Sequence, residues 1–182
     1  VLMLTTGFFM GTFIATYQIT ADSIFLNRLG QYLDKAFLAA GILGIVTTFI
    51  FSTFQNFIRF SVLTQISVAL IFFFTVAVYV LLHYGNPEWH NIVIFFIYCG
   101  SGPIIALLLL CYWGTFGRLF NFRQSKRIIG WIDTGQLIAA IIASFLVPLT
   151  SVLLPDTTDY LMVCSLSMLI VGGLLFMISS RF

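Results

Sequence analysis

Charged side chains are scarce in this sequence, and their scarcity excludes most classes of soluble protein. Aspartate, glutamate, lysine and arginine together make up 8% of the 182 residues, whereas hydrophobic residues make up 60%. A water-soluble domain of this size would need more polar residues to cover its surface than this sequence has. We therefore expect an integral membrane protein in contact with the lipid bilayer. The net charge of +2 is too small to predict a nucleic-acid partner.

Residues that carry catalytic or metal chemistry are also few. The two histidines flank a turn, and the three cysteines stand singly inside apolar runs, without the paired spacing of a metal site. We interpret the cysteines as core residues. The sequence has no Ser/His/Asp, Cys/His or zinc constellation and no Gly-rich phosphate loop. It therefore predicts no enzyme, no cofactor and no metal site.

Both ends of the sequence lie next to apolar runs. The first residue is Val1, and no basic segment precedes the first apolar run, so we expect no cleavable signal peptide. Arg181 directly follows the last apolar run and resembles a stop at the membrane surface. We expect the sequence to be a fragment of a longer chain.

Long apolar runs dominate what the sequence does contain. Each run is near the roughly 20 residues that a membrane-crossing helix needs, and none shows the alternation of a β-barrel strand. The sequence predicts an all-α membrane protein with one bundle of six transmembrane helices over residues 1–182. The predicted spans are 5–26, 36–56, 61–83, 91–116, 128–152 and 160–180.

Basic residues fall on alternate connections between these spans. Arg59 follows the second span, whereas the opposite connections hold only Arg28 and Lys35. A predicted basic loop after the fourth span contains Arg118, Arg123, Lys126 and Arg127. Because basic residues accumulate on the cytoplasmic side, we expect both ends in the cytoplasm. As a separate expectation, the membrane is a bacterial inner (plasma) membrane. We interpret the basic loop as a topology signal that contacts lipid headgroups, in preference to a substrate site.

Polar residues inside the spans predict a substrate or coupling-ion path. The first span has threonines at intervals of four residues, with Gln18 and Asp22 beside them, and such a face should not contact lipid. A carboxylate at the centre of a membrane helix costs about 2.5 to 3.5 kcal/mol, so it usually faces a cavity or a partner. The candidate path comprises Thr16, Gln18, Asp22, Tyr98, Asp133 and Gln136.

Salt bridges are the alternative explanation for both aspartates. Asp133 could pair with Arg118 or Arg127 of the basic loop, and Asp22 with Arg28 or Lys35. The sequence does not decide between a structural pair and a role in transport.

Small and apolar residues indicate how the helices pack. Gly7 and Gly11 form a GxxxG motif, which lets two backbones approach closely. The run from Gly100 to Pro103 predicts a kink in the fourth span. The third and sixth spans are apolar on nearly all sides, so we expect them to lie at the lipid-facing periphery.

A weak internal repeat relates the two halves of the chain. Phe25 to Arg28 closes the first span, and Phe120 to Arg123 follows the fourth span about 95 residues later. An odd number of crossings separates the copies, so the two triplets have inverted topology. Such three-plus-three inverted repeats build each six-helix half of major facilitator transporters.

Two segments resemble the ATP/ADP translocase-like branch of the major facilitator superfamily. Phe120 to Arg127, followed by Gly130 and Gly135, is similar to that branch's run F-D-x-R-Q-A-K-R followed by I-G-x-G-x-x-x-G. Ile24 to Gly30 resembles the end of the first helix there. Asn121 departs from the run, which has aspartate at that place. The resemblance implies a twelve-helix transporter, with nucleotides among the possible solutes, of which this chain is the N-terminal half.

Two hypotheses of function follow. In the first, the chain is a transporter half that moves a small anionic solute by alternating access against a second six-helix half. In the second, it is a non-transporting scaffold or accessory subunit that uses the same fold to anchor another membrane subunit.

Overall fold

Helices account for almost all of residues 1–150 and 156–181, which are the residues that this computed structural model describes. The helices are α1 (Leu2–Leu29), α2 (Leu33–Phe57), α3 (Phe60–Tyr84), α4 (Pro87–Leu119), α5 (Phe122–Thr150) and α6 (Tyr160–Arg181). No strand occurs in these residues, and the predicted all-α class is confirmed. Positions 151 and 152 of the fifth predicted span lie outside the described residues.

Five helical stretches are long and apolar enough to cross a membrane. The first runs from Leu2 to Phe57 and includes both α1 and α2, which only a short 3-10 turn at Gly30–Tyr32 separates. The others are Phe60–Tyr84, Pro87–Leu119, Arg123–Thr150 and Thr157–Ser179. The chain is therefore a multi-pass integral membrane protein, while the count of six separate crossings stays a prediction.

The helices pack in two layers. The front layer is a row of four helices in the order α2, α4, α1, α5, because α4 packs on α2 and α1, and α1 packs on α5. The back layer is the pair α3 and α6, which pack on each other and cover α4 and α1 respectively. Helices α1 and α4 are thus the centre of the bundle.

Two buried tyrosines join the central helices. The Tyr17 hydroxyl on α1 donates to the Ile97 carbonyl on α4 at 3.2 Å. In the opposite direction, the Tyr112 hydroxyl on α4 donates to the Met3 carbonyl on α1 at 3.0 Å. Because a buried hydroxyl without a partner costs about 1 to 3 kcal/mol, these bonds favour one axial offset of α1 against α4.

The prediction of a basic loop between the fourth and fifth spans is wrong, because its basic residues lie in helices. Only Phe120 and Asn121 separate α4 from α5, so Arg118 ends α4, and the other three basic residues lie in the first turns of α5. The Gln124 side chain accepts a hydrogen bond from the Asn121 backbone N–H at 3.3 Å, as in a capping box. This cap starts the helix six residues earlier than hydropathy alone predicted.

Exposure differs from the predicted pattern as well. Helix α2 buries only Ala36 and Phe51, whereas α3, which was predicted to be peripheral, buries eight residues along its length. The cause is the layered arrangement, in which α2 and α5 stand at the two ends of the front row and each packs extensively on one neighbour. The broad apolar faces left open belong to α2 and α5.

Glycine allows α1 and α5 to approach closely. A Cβ atom added at Gly11 would lie 3.0 Å from the Gln136 Cα and would overlap the Gln136 carbonyl oxygen. One added at Gly135 would lie 3.0 Å from the Leu4 carbonyl oxygen. The predicted role of Gly11 in packing is confirmed, since here two backbones touch without an intervening side chain.

Replacing Gly11 by alanine should therefore destabilise the bundle. Because the added methyl group meets rigid backbone, we expect Gly11→Ala to lower the free energy of unfolding by about 1 to 3 kcal/mol. The matched control is Gly173→Ala on α6, where no atom lies within 4 Å of the added Cβ. This control should be neutral or stabilising by up to about 1 kcal/mol. Thermal unfolding in detergent measures both, and equal melting temperatures would contradict the close approach.

Candidate functional site

A groove opens between α1, α2 and α4, with a largely apolar lining that includes a few polar side chains. Its volume is about 490 Å³. Helix α1 contributes Gln18 and Asp22, and α4 contributes Tyr98 and Ser101. The wall formed by α2 consists mainly of Phe37, Ala40, Gly41 and Gly44. We call this site the polar groove, and it brings together three of the six predicted path residues.

Residue spacing and small side chains explain why the groove exists. Gln18 and Asp22 are four residues apart, so they lie one turn apart on the same face of α1. Across from them, no atom lies within 4 Å of the positions that a Cβ would take at Gly41 and Gly44. The α2 wall is therefore too thin to fill the space between the helices.

Stacked aromatic rings hold Tyr98 at the edge of the groove. The Tyr98 ring stacks on Phe25 of α1, with centroids 4.1 Å apart, and meets Phe37 of α2 edge-on at 6.0 Å. The Tyr98 phenol lies close enough to Asp22 for their charges to interact. A hydroxyl group and a carboxylate thus share one rigidly placed corner of the groove.

Asp22 has no salt bridge among residues 1–150 and 156–181. The sequence offered Arg28 and Lys35 as partners, but Lys35 instead lies over the Tyr32 ring, 5.5 Å from its centroid. No lysine or arginine lines the described groove. The groove therefore presents a carboxylate and neutral polar groups without a compensating positive charge.

Helix α4 continues through Pro103, beside the groove. Proline has no N–H to donate to the Cys99 carbonyl, so one bond of the helix ladder is missing there. The Ser101 hydroxyl donates to the Tyr98 carbonyl at 2.7 Å. Ser101, Gly102 and Pro103 thus contribute groove lining, a role that the sequence did not predict for them.

Thr16 lies on the other side of α1, outside the groove. Its side chain is buried, and its hydroxyl donates to the Thr12 carbonyl at 2.7 Å. The same oxygen lies 3.2 Å from the Cys164 sulfur of α6. Thr16 therefore belongs to the interface between α1 and α6.

Asp133 and Gln136 do not line the groove. Asp133 is near Tyr112, which is 14 residues, or roughly 21 Å of helix, from Tyr98. Gln136 packs against Gly11, and its Oε1 atom is buried without a hydrogen-bond partner. Since α5 starts at Phe122, Asp133 lies roughly 16 Å inside the helix.

Neither predicted partner forms a salt bridge with Asp133 in the described part of the chain. Arg118 lies instead over the Phe60 ring, 4.1 Å from its centroid. Arg127, the other candidate, is exposed. Asp133 and Gln136 thus form a second polar region, separate from the groove.

Metal binding finds no support in residues 1–150 and 156–181. No group of three histidine, cysteine, aspartate or glutamate side chains lies close enough there to hold an ion. The three cysteines are buried and free, and their predicted place in the core is confirmed.

No protein-family profile matches this sequence, and no curated protein or solved structure is significantly similar to it.

The exposure of Gln18 predicts that water reaches the groove. In a background with the three native cysteines replaced by alanine, we expect Gln18→Cys to react with a charged, membrane-impermeant thiol reagent. Thr20→Cys is the matched control, because Thr20 is two residues away on α1 and fully buried. Mass spectrometry of the labelled protein compares the two. Equal protection of both cysteines would mean that lipid or protein fills the groove.

Proposed function

We propose that this chain is one six-helix half of a solute transporter, as its resemblance to the ATP/ADP translocase-like branch of the major facilitator superfamily implies. A small solute is moved by alternating access between this half and a second one, with both chain ends in the cytoplasm. The observation that carries the proposal is the unpaired Asp22 carboxylate in a polar groove within the apolar bundle.

The position of Asp22 argues against a purely structural role. It lies seven residues, or roughly 10 Å, from the end of α1, and no described basic side chain neutralises it. Because an unpaired charge at membrane depth is costly, such groups mark ion or substrate paths. A carboxylate beside neutral hydroxyl and amide groups suits a coupling cation, either a proton or a metal ion such as Na⁺.

The solute itself is expected to be anionic, and this groove has no basic side chain among its described residues to bind it. Arg28 and Lys35 are exposed near the junction of α1 and α2, where they could attract an anion towards the groove. Direct contacts to an anionic solute would then come from the facing half. In this proposal Asp22 serves the coupling ion, and the second half supplies most of the solute contacts.

Helix packing supports a three-plus-three inverted repeat. The packed helix pairs show the symmetry of such a repeat. If α1 and α4, α2 and α5, and α3 and α6 exchange places, the list of extensively packed pairs stays the same. Tyr17 and Tyr112 are 95 residues apart, which is also the offset of the repeated Phe-to-Arg segments. Their hydrogen bonds, to Ile97 and Met3, run in opposite directions between α1 and α4. Both features are expected if the two triplets are inverted copies.

The open faces of α2 and α5 support a partner beside the groove. Both helices stand at the ends of the front row and expose many large apolar side chains, among them Phe37, Ile45, Phe49, Ile141, Phe145 and Leu149. A second bundle facing the row would cover these surfaces and close the polar groove. The same exposed faces favour the alternative function, a scaffold that anchors another membrane subunit without transport.

The proposal is tested by comparing transport by the Asp22→Asn variant with transport by the wild-type protein. In proteoliposomes containing the full-length protein, labelled solutes including nucleotides should be taken up or exchanged. We expect Asp22→Asn to lower the rate by about tenfold or more, because asparagine keeps the shape but not the charge that binds the coupling ion. The matched control is Asp34→Asn, which removes the same charge from an exposed site at the start of α2. It should retain near-normal transport.

The two hypotheses predict different outcomes. Transport that survives in Asp22→Asn would remove the carboxylate from the path. If no solute of a broad panel is transported, and the protein co-purifies with another membrane protein, the scaffold function replaces transport.

A further inference from the structure

Helix α2 is buried only near its two ends. Ala36, close to its start, is fully buried, and the Cys99 thiol of α4 donates to the Ala36 carbonyl, with 3.5 Å between sulfur and oxygen. Towards the other end, the Phe51 ring meets Phe60 of α3 edge-on, with centroids 6.4 Å apart. Between these contacts lie the polar groove and a second gap of about 580 Å³, which Ala106 of α4 borders. The middle of α2 therefore has space on the side of α4.

The corresponding pair of helices in the inverted repeat, α5 and α1, has no such space at its contact. Gly11 of α1 lies against Gln136 of α5, and Gly135 of α5 lies against Leu4 of α1. A Cβ atom added to either glycine would lie 3.0 Å or less from a backbone atom of the facing helix. One side of the bundle is thus closed, whereas its counterpart is open.

Small residues recur in both helix pairs at the repeat offset of 95 residues. The positions related by this offset are Gly7 and Gly102, Gly11 and Ala106, Ala40 and Gly135, and Gly44 and Ala139. Small residues let two helix backbones approach closely. In the described part of the chain, however, no atom lies within 4 Å of a Cβ added at Gly44 or Gly102. Helices α2 and α4 therefore carry the surfaces for a contact that α5 and α1 make and that they do not.

The charge of Asp22 opposes this contact. Asp22 lines the groove, and no lysine or arginine is among the described residues that line it. If α2 moved onto α4, the groove would lose the space for the water that solvates the carboxylate. Burying an unpaired carboxylate is costly, and a bound proton or metal cation removes that cost. An ionised and unoccupied Asp22 thus favours the open groove.

We propose that α2 closes onto α4 when Asp22 is neutralised, so that Gly41 packs against Ala106 as Gln136 packs against Gly11. The proposal rests on the inverted repeat and on the coupling role of Asp22 in the proposed function. It adds a step within one half of the transporter, in which α2 pivots near its first turn and shuts the groove around the coupling ion. The open groove described above is the other end of this movement.

Disulfide formation between α2 and α4 tests the proposal. In the full-length protein, with the three native cysteines replaced by alanine, Gly41→Cys and Ala106→Cys are combined and oxidised in proteoliposomes. A disulfide needs Cα atoms about 4.4 to 6.8 Å apart, a distance that the closed form provides. Adding Asp22→Asn should speed formation of the bond by about fivefold or more, because the neutral side chain removes the cost of closure. Mass spectrometry quantifies the intramolecular disulfide.

Two controls match the cysteine pair and the change of charge. Ser52 borders the same gap as Gly41, but it is 11 residues, or roughly 16 Å of helix, further along α2. Ser52→Cys with Ala106→Cys should therefore stay reduced, with or without Asp22→Asn. Asp34→Asn removes an exposed charge at the start of α2, so it should change the rate for the Gly41 pair by less than about twofold.

Either of two outcomes would sink the proposal. Absence of a disulfide between positions 41 and 106, with and without Asp22→Asn, would show that α2 does not close. Equal rates with and without Asp22→Asn would show that closure does not depend on this charge. No solute is present in the assay, so neither outcome bears on transport. Conversely, a protein that cross-links as expected but moves no solute would retain the closure and lose the transport function.

Discussion

The two hydrogen bonds between α1 and α4 are the constraint on which the rest of the structure depends. Tyr17 and Tyr112 are both fully buried, and each finds its acceptor in a backbone carbonyl of the opposite helix. Sliding α1 along α4 by one turn would break both bonds and leave two phenol hydroxyls unpaired in an apolar core, where the cost is largest. With α1 and α4 held in this way, α3 and α6 can cover their backs, and α2 and α5 can pack only on their outer flanks. The groove is the space that remains at the front of the central pair, next to the glycines of α2.

The helices were predictable because each apolar run is long and the connections between them are short. Their boundaries were less predictable, since a local cap decides them: the Gln124 side chain binds the Asn121 N–H and draws a charged segment into α5. The neighbours of each helix could not be read from hydropathy. An apolar face in a membrane sequence contacts either lipid or protein, and both surroundings favour the same residues. For this reason α3 was expected to be more exposed than it is.

The candidate site was predictable within one helix but not between helices. Gln18 and Asp22 follow from a spacing of four residues, and the groove contains both. The threonines beside them were a poor guide to a polar path. A threonine hydroxyl in a helix can donate a hydrogen bond to the carbonyl four residues earlier. Thr12, Thr16 and Thr20 all do so, which makes their face apolar enough to bury against other helices. Asp133 and Gln136 have the polarity expected of a path residue, yet nothing in the sequence states how far along the bundle they lie from Asp22. That distance depends on the offset between helices, which buried contacts such as those of Tyr17 and Gly11 decide.

Charge is divided along the bundle in a way that limits the chemistry of the proposed path. The basic residues lie near the helix ends, whereas the groove contains a carboxylate and no basic side chain among its described residues. An anion entering the groove would be repelled by an ionised Asp22, and it would gain little from Arg28 or Lys35, which are exposed and screened by salt. Binding a proton or a metal cation at Asp22 removes that repulsion. Under the proposed function, occupation of the groove by the coupling ion is therefore a condition for binding an anionic solute there, which makes co-transport with a cation the mechanism that this charge distribution favours.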